Sequence, residues 1–130
     1  MPSLFTRLIK DEIPCQKIWE DDRFFAFLDI RPIQPGMTLV VPKQEIEHPF
    51  DMTDGEYCDL MLAAKRLVPA IQKAVGSLRV GLVIEGLEVP HAHVKLIPIN
   101  GPGDLAQSNA RPATDDQLKE MAARIRSNLS

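Results

Sequence analysis

In the segment His91-Ala-His-Val-Lys-Leu-Ile-Pro98, three nitrogen-bearing side chains fall on alternate residues of an otherwise apolar run. A neutral imidazole near pH 7 is both a nucleophile and an acid/base. Phosphoryl and nucleotidyl transfer need an in-line nucleophile and positive donors on the equatorial oxygens. His93, the middle residue, has a possible donor on each side. A fixed charge at Lys95 opposes protonation of His93 and keeps its ring nucleophilic. The same row also suits a plain polar face of an exposed strand, and pattern alone leaves both readings open. A metal site built from His91 and His93 with Glu85 or Glu88 has no recognised ligand spacing.

The row shares one face only if its segment is a strand, so a strand is expected from His91 to Ile97. Ala92, Val94 and Leu96 then point the other way, into a core. Upstream, Ser3 to about Glu12 reads as a short helix closed by Ile13-Pro14, with Leu4, Phe5, Leu8 and Ile9 on one side. Lys17 to Glu20, Phe24 to Ile30 and Met37 to Val41 read as strands. The turn Arg31-Pro-Ile-Gln-Pro-Gly36 separates the last two. Thr53-Asp-Gly-Glu56 has capping-box spacing and opens a helix to about Val75, with a kink expected at Pro69 and a stop at Gly76. Tyr57, Leu60, Met61, Ala64, Leu67 and Val68 supply its apolar stripe, and Cys58 reads as a small core residue. Leu78 to Glu85 is a further strand. Thr114-Asp-Asp-Gln117 opens a terminal helix to about Ser127. Hairpin-like turns and few long crossovers make the fold class α+β with an antiparallel sheet. One domain is expected over residues 1–130, its core at about 3–98 and a C-terminal loop and helix beyond.

Of the 130 residues, 45% are hydrophobic and 25% charged, and the net charge is −3, as expected of a water-soluble globular domain. No cluster of Lys or Arg suggests long nucleic acid as a partner. No apolar run approaches the ~18 residues of a membrane span. The N-terminus lacks the pattern of a secretory signal, so a cytoplasmic location is expected. Cys15 and Cys58 form no Cys-x-x-Cys pair, and a disulfide is not expected. Nothing in the sequence requires a metal or an organic cofactor.

The row sits in a longer pattern. Phe5-Thr-Arg-Leu-Ile-Lys-Asp-Glu-Ile-Pro14, Trp19-Glu-Asp-Asp22, Phe25-Ala-Phe-Leu-Asp-Ile-Arg-Pro32, Gln34-Pro-Gly36 and Leu39-Val-Val-Pro-Lys43 precede it in order. Over about residues 3–98 the chain resembles the histidine-triad (HIT) family of nucleotide hydrolases and transferases. Its motif is His-x-His-x-His followed by two apolar residues. The resemblance implies a five-stranded antiparallel sheet with two main helices, and a homodimer that joins sheets and helices. It implies that His93 attacks the α-phosphate of a bound nucleotide and forms a nucleotidyl-histidine, with His91 fixing the imidazole or the backbone. Leu4, Phe5, Leu8, Phe27, Leu28, Asp29 and Ile30 match positions that hold the base and ribose of a purine nucleotide or nucleotide conjugate. Asp29 suits the ribose hydroxyls. Taken without the resemblance, Leu4, Phe5, Leu8 and Phe27 read as ordinary core and Asp29 as a turn residue.

Several residues depart from the family pattern. Lys95 stands where the third histidine belongs; it keeps a donor but has a fixed charge and a longer stem. Met37 and Glu45 stand at or near other common histidines, with His48 a few residues on. Leu87 and Glu88 occupy the positions of a phosphate-facing Gln-Ser pair, so Glu88 must turn away from a phosphate or pair with Lys95. Ser3 and Thr6 replace the cysteines of zinc-containing relatives, and no structural zinc is expected. Two functions follow: an enzyme cleaving a nucleoside phosphoramidate or a mono- or dinucleoside polyphosphate, or a nucleotide-binding module with weak or no catalysis.

Overall fold

The computed structural model of the chain describes residues 2–129. Each of its three α-helices opens on a side chain that satisfies amides the helix itself leaves free. Ser3 accepts from Thr6 N–H at the start of α1 (Leu4–Ile9). Thr53 and Thr114 open α2 (Asp54–Val75) and α3 (Asp115–Ser127) with the reciprocal capping boxes expected from their spacing. α1 stops earlier than Ile13-Pro14. Asp11 takes a left-handed φ of 62°, and the Glu12 N–H reaches back to the Arg7 carbonyl at 2.9 Å. That pairing ends a helix in the Schellman manner.

The strands are β1 (Lys17–Glu20), β2 (Phe24–Leu28), β3 (Thr38–Pro42), β4 (Arg79–Val83) and β5 (Val94–Ile99), all antiparallel, in the order β1-β2-β3-β5-β4. The fold is therefore α+β, with one five-stranded antiparallel sheet and three helices. Alternation divides its interior in two. Phe24, Ala26, Leu28, Val40, Val94 and Leu96 pack against α2 and α3. Phe25, Phe27, Leu39, Val41 and Ile97 pack on the opposite side with Phe5 and Leu8 of α1. Leu118, Ala122 and Ile125 of α3 belong to the first of these cores, so the C-terminal helix is part of the main packing. Each large side chain buried this way contributes roughly 1.5–3 kcal/mol, more than a helix cap supplies.

Two further expectations, on Cys58 and on the start of β5, need correction. Cys58 is exposed. The buried line of α2 runs Leu60, Ala63, Ala64, Leu67, Ala70, Ile71 and Ala74, which turns Cys58, Tyr57 and Met61 toward the helix flank. α2 continues as helix through Pro69, which lies on the exposed side, where solvent can reach the Lys65 carbonyl that proline leaves unbonded. β5 starts at Val94, three residues later than expected. His91 and His93 lie in the segment ahead of it, because the ladder to β3 is cut there. The Ala92 N–H turns to the Ile46 carbonyl at 2.6 Å, and the Pro42 carbonyl is taken by the His91 side chain at 2.7 Å. Among the described residues no helix is long and apolar enough to cross a membrane.

Gly36 and Gly76 both need positive φ, 94° and 79°. A Cβ at Gly36 would stand 2.6 Å from Val75 Cγ2, whereas one at Gly76 meets nothing within 4 Å. Gly76→Ala should therefore cost only backbone strain, about 1 kcal/mol, and Gly36→Ala strain plus a clash, about 3 kcal/mol. Urea melts of the two variants check this, and equal losses would contradict it.

Candidate active site

The register of β5 sets the site. Lys95 lies between Leu39 of β3 and Val83 of β4. Its neighbours Val94 and Leu96 are committed to the α2 side, so Lys95 is turned to the α1 side, where His93 also lies. There the two line a cleft of about 370 Å³ with Leu4, Phe5, Leu8, Phe27, Leu28, Asp29 and Ile30. All seven residues expected at a base and ribose thus gather around His93 and Lys95. Leu4 and Ile30 are 47% and 69% exposed at the rim, while Phe5, Leu8, Phe27 and Leu28 are buried in the wall.

His91 does not line the cleft. It is fully buried beside it, with Nδ1 2.6 Å from Ser3 Oγ and Nε2 2.7 Å from the Pro42 carbonyl. The three-residue row is therefore split: two side chains face the cleft and one is clamped behind it. The clamp matters because the main-chain carbonyl of His91 stands 2.7 Å from His93 Nδ1. A carbonyl only accepts, so in the neutral ring Nδ1 carries the proton and Nε2 the lone pair. Among the described residues, no hydrogen-bond partner occupies that Nε2. The Phe5 and His93 rings meet edge to face, their centroids 5.0 Å apart. Burial pushes the His93 imidazolium below its ordinary range; the His91 carbonyl opposes this and the Lys95 charge adds to it.

Asp29 does two things. Its Oδ1 accepts the Arg31 N–H at 2.8 Å, which makes the turn after β2, and its carboxyl also lines the cleft. Burial raises its pKa above the usual carboxylate range, with the Arg31 amide opposing. Lys95 is 8% exposed and pairs with Glu85 at 3.5 Å. The partner allowed for from the sequence was Glu88. Pairing Val83 with Lys95 places Glu85, two residues on, within reach, and Glu88 lines the cleft separately. Arg31 is a second cation on the wall. The sequence carried it inside the Asp-Ile-Arg-Pro stretch without indicating which way it points. Met37, at a position where the family pattern commonly has a histidine, is buried and takes the Ile33 N–H on its sulfur at 3.3 Å.

A larger cavity of about 590 Å³ lies on the other side of Asp29, between the β2–β3 loop and α3. Its wall holds no histidine, cysteine, serine or lysine, so the smaller cleft is the one equipped for chemistry. Among the described residues no three His, Cys, Asp or Glu side chains are grouped to hold a metal ion. Ser3, Thr6, Glu45 and His91 instead form one hydrogen-bonded cluster, whose members sequence reasoning named separately without joining them.

This fold has close counterparts. The HIT domain matches residues 10–101. An uncharacterised HIT-like protein of Methanocaldococcus jannaschii is 36% identical over 126 residues, covering 91% of this chain and 97% of its own. An adenosine 5′-monophosphoramidase of Saccharomyces cerevisiae is 38% identical over 96 residues, covering 73% of this chain and 61% of its own. The crystal structure of a HIT-like protein involved in cell-cycle regulation from Bartonella henselae superposes with a TM-score of 0.87 at 30% identity, over 98% of this chain and 96% of that one. The chain belongs to the HIT family.

Proposed function

We propose that this protein is a nucleotide hydrolase or transferase in which His93 attacks the α-phosphate of a nucleoside phosphoramidate or of a mono- or dinucleoside polyphosphate. The observation that carries the reading is the orientation of one ring. His93 gives its Nδ1 proton to a main-chain carbonyl and presents the Nε2 lone pair in a cleft that also holds Lys95 and Asp29. The base and ribose rest against Leu4, Phe5, Leu8, Phe27, Leu28 and Ile30, with Asp29 accepting from the ribose hydroxyls. Nε2 forms a bond to the α-phosphorus as the bond from phosphorus to the leaving group breaks. The leaving group takes a proton from water, and the Lys95 ammonium holds an equatorial oxygen. Water, or another acceptor, then attacks the phosphorus. The N–P bond breaks, and the nucleoside monophosphate or its transfer product leaves. The yeast relative is an adenosine 5′-monophosphoramidase, which supports the phosphoramidate branch.

The Lys95–Glu85 pair favours a second reading, a nucleotide-binding module with slow or no turnover. A phosphate must compete with Glu85 for Lys95, and a lysine is a poorer proton shuttle near pH 7 than a histidine. One assay separates the two. Incubated with adenosine phosphoramidate, the protein is expected to release AMP, and His93→Ala to do so at least about a thousandfold more slowly. A lowered imidazolium pKa means that acid must go further to protonate Nε2. The acid limb of kcat/KM should therefore fall below pH 6.5, the ordinary value for histidine. AMP binding by calorimetry with no turnover above His93→Ala assigns the second reading, and no binding at all rejects both.

We further infer that two copies pair through β4 and α2. β4 is an edge strand. Leu62 and Leu82 are 59% and 38% exposed, and together with Tyr57, Met61, Val68 and Val80 they line an open apolar groove. Sedimentation should give the mass of a dimer, and the double variant Met61→Glu, Leu82→Lys that of a monomer. A monomeric parent protein would contradict the pairing.

A further inference from the structure

We propose that Glu45 is a positioning residue for His93, acting through Ser3 and the buried ring of His91. This rests on the reading of His93 as the nucleophile.

Glu45 lies in the exposed loop that follows β3. Its Oε1 accepts the Ser3 N–H at 2.5 Å and the Thr6 hydroxyl at 2.6 Å, two bonds from the first turn of α1 to one carboxylate oxygen. The Thr6 hydroxyl leads, and these bonds hold the Glu45 carboxyl below its usual range. Ser3 is thereby fixed at its backbone. Its hydroxyl caps α1 by accepting the Thr6 N–H at 3.1 Å and stands 2.6 Å from His91 Nδ1.

The donor directions follow from the far end. His91 Nε2 faces the Pro42 carbonyl, which can only accept, so in the neutral ring Nε2 carries the proton and Nδ1 the lone pair. The Ser3 hydroxyl must then donate to Nδ1. Its other possible acceptor, Thr6 Oγ1, is 3.3 Å away and less favourable. A fully buried imidazole is thus held at both nitrogens, in one tautomer and one orientation, by a relay that ends on a surface carboxylate. The same residue supplies the carbonyl that fixes His93 Nδ1.

A second route runs in parallel. The bonds to Glu45 anchor the N-terminus of a six-residue helix too short to hold its own shape in water. Phe5 of that helix meets both imidazoles edge to face, with ring centroids 5.7 Å from His91 and 5.0 Å from His93. Loss of the Glu45 carboxylate therefore frees Ser3 from His91 and Phe5 from both rings. His93 Nε2 stays in the cleft but no longer keeps one aim. The plain alternative is that Glu45 merely staples α1 to the domain, which would affect stability and the wall of the cleft but not the state of the rings.

Long-range 15N–1H NMR of the imidazole nitrogens separates these, with kinetics and AMP calorimetry on the same samples. In the parent protein each ring should show one tautomer, with the proton on Nε2 in His91 and on Nδ1 in His93. Glu45→Ala should mix the tautomers and lower kcat about tenfold, with a smaller fall in AMP affinity from the loosened Phe5 wall. Glu45→Gln keeps an oxygen acceptor for both bonds and should recover most of the loss. Single, unchanged tautomers in both Glu45→Ala and Ser3→Ala would overturn the proposal. So would a fall in AMP affinity as large as the fall in kcat with the rings unchanged, because that is the signature of a staple. If the parent protein binds AMP without turning over substrate, the reading of His93 fails separately, and the NMR comparison still decides whether Glu45 sets the rings.

Discussion

The hydrogen bond from His93 Nδ1 to the carbonyl of His91 decides which imidazole nitrogen faces the cleft. Both residues lie just ahead of β5, where the backbone has left the ladder and its carbonyls are free for side chains. Had the strand begun at His91, that carbonyl would have been available to pair with β3 or point across to β4, and the ring of His93 would have had no fixed partner. Breaking the ladder at Ala92 and rejoining it at Val94 is thus a local cost in pairing that yields an oriented imidazole. The surroundings reinforce it. Burial disfavours the imidazolium, and Lys95 on the same face adds to that effect.

The sheet makes this possible by being covered unequally. α2 and α3 bury one face with a continuous apolar layer, and Val94 and Leu96 anchor β5 in it. The other face carries only the short α1 and connecting segments, which leaves room for a cleft above Phe27, Leu39 and Lys95. Stability and chemistry are thereby assigned to opposite faces of the same strands. The residues around the proposed phosphate position include Glu85, Glu88 and Asp29 against Lys95 and Arg31, so the cleft carries an excess of acid rather than a strong positive field. In the proposed function, binding there relies on the apolar wall for the base and on a few directed contacts at the phosphate.

Local signals in the sequence reached far into the fold. Thr53 and Thr114 announced their helices because a capping box is made by residues three apart, and the short unbroken run of aromatic and aliphatic residues from Phe24 to Leu28 marks a strand buried on both faces. Signals that depend on distant partners were not legible. His91 and His93 look equivalent in an alternating row, and nothing local reveals that Ser3 and Pro42 clamp the first while the second stays open. Cys58 fits an apolar helix as well as Leu60 does until the position of the sheet selects one line of α2. Lys95 pairs with Glu85 rather than Glu88 because of the β4–β5 register, a relation between strands that no single segment encodes. Glu45 was visible only as a departure from a pattern, since its partners lie 39 and 42 residues away in the chain.

Covalent chemistry at His93 is tested most directly by mass. Protein quenched under denaturing conditions during turnover of an adenosine phosphoramidate should gain the mass of one adenylyl group, and fragmentation should place it on the His91-to-Pro98 segment at His93. The adduct should be absent from His93→Ala. An adduct on Lys95, or steady release of AMP with no adduct trapped at any time, would contradict a nucleotidyl-histidine route.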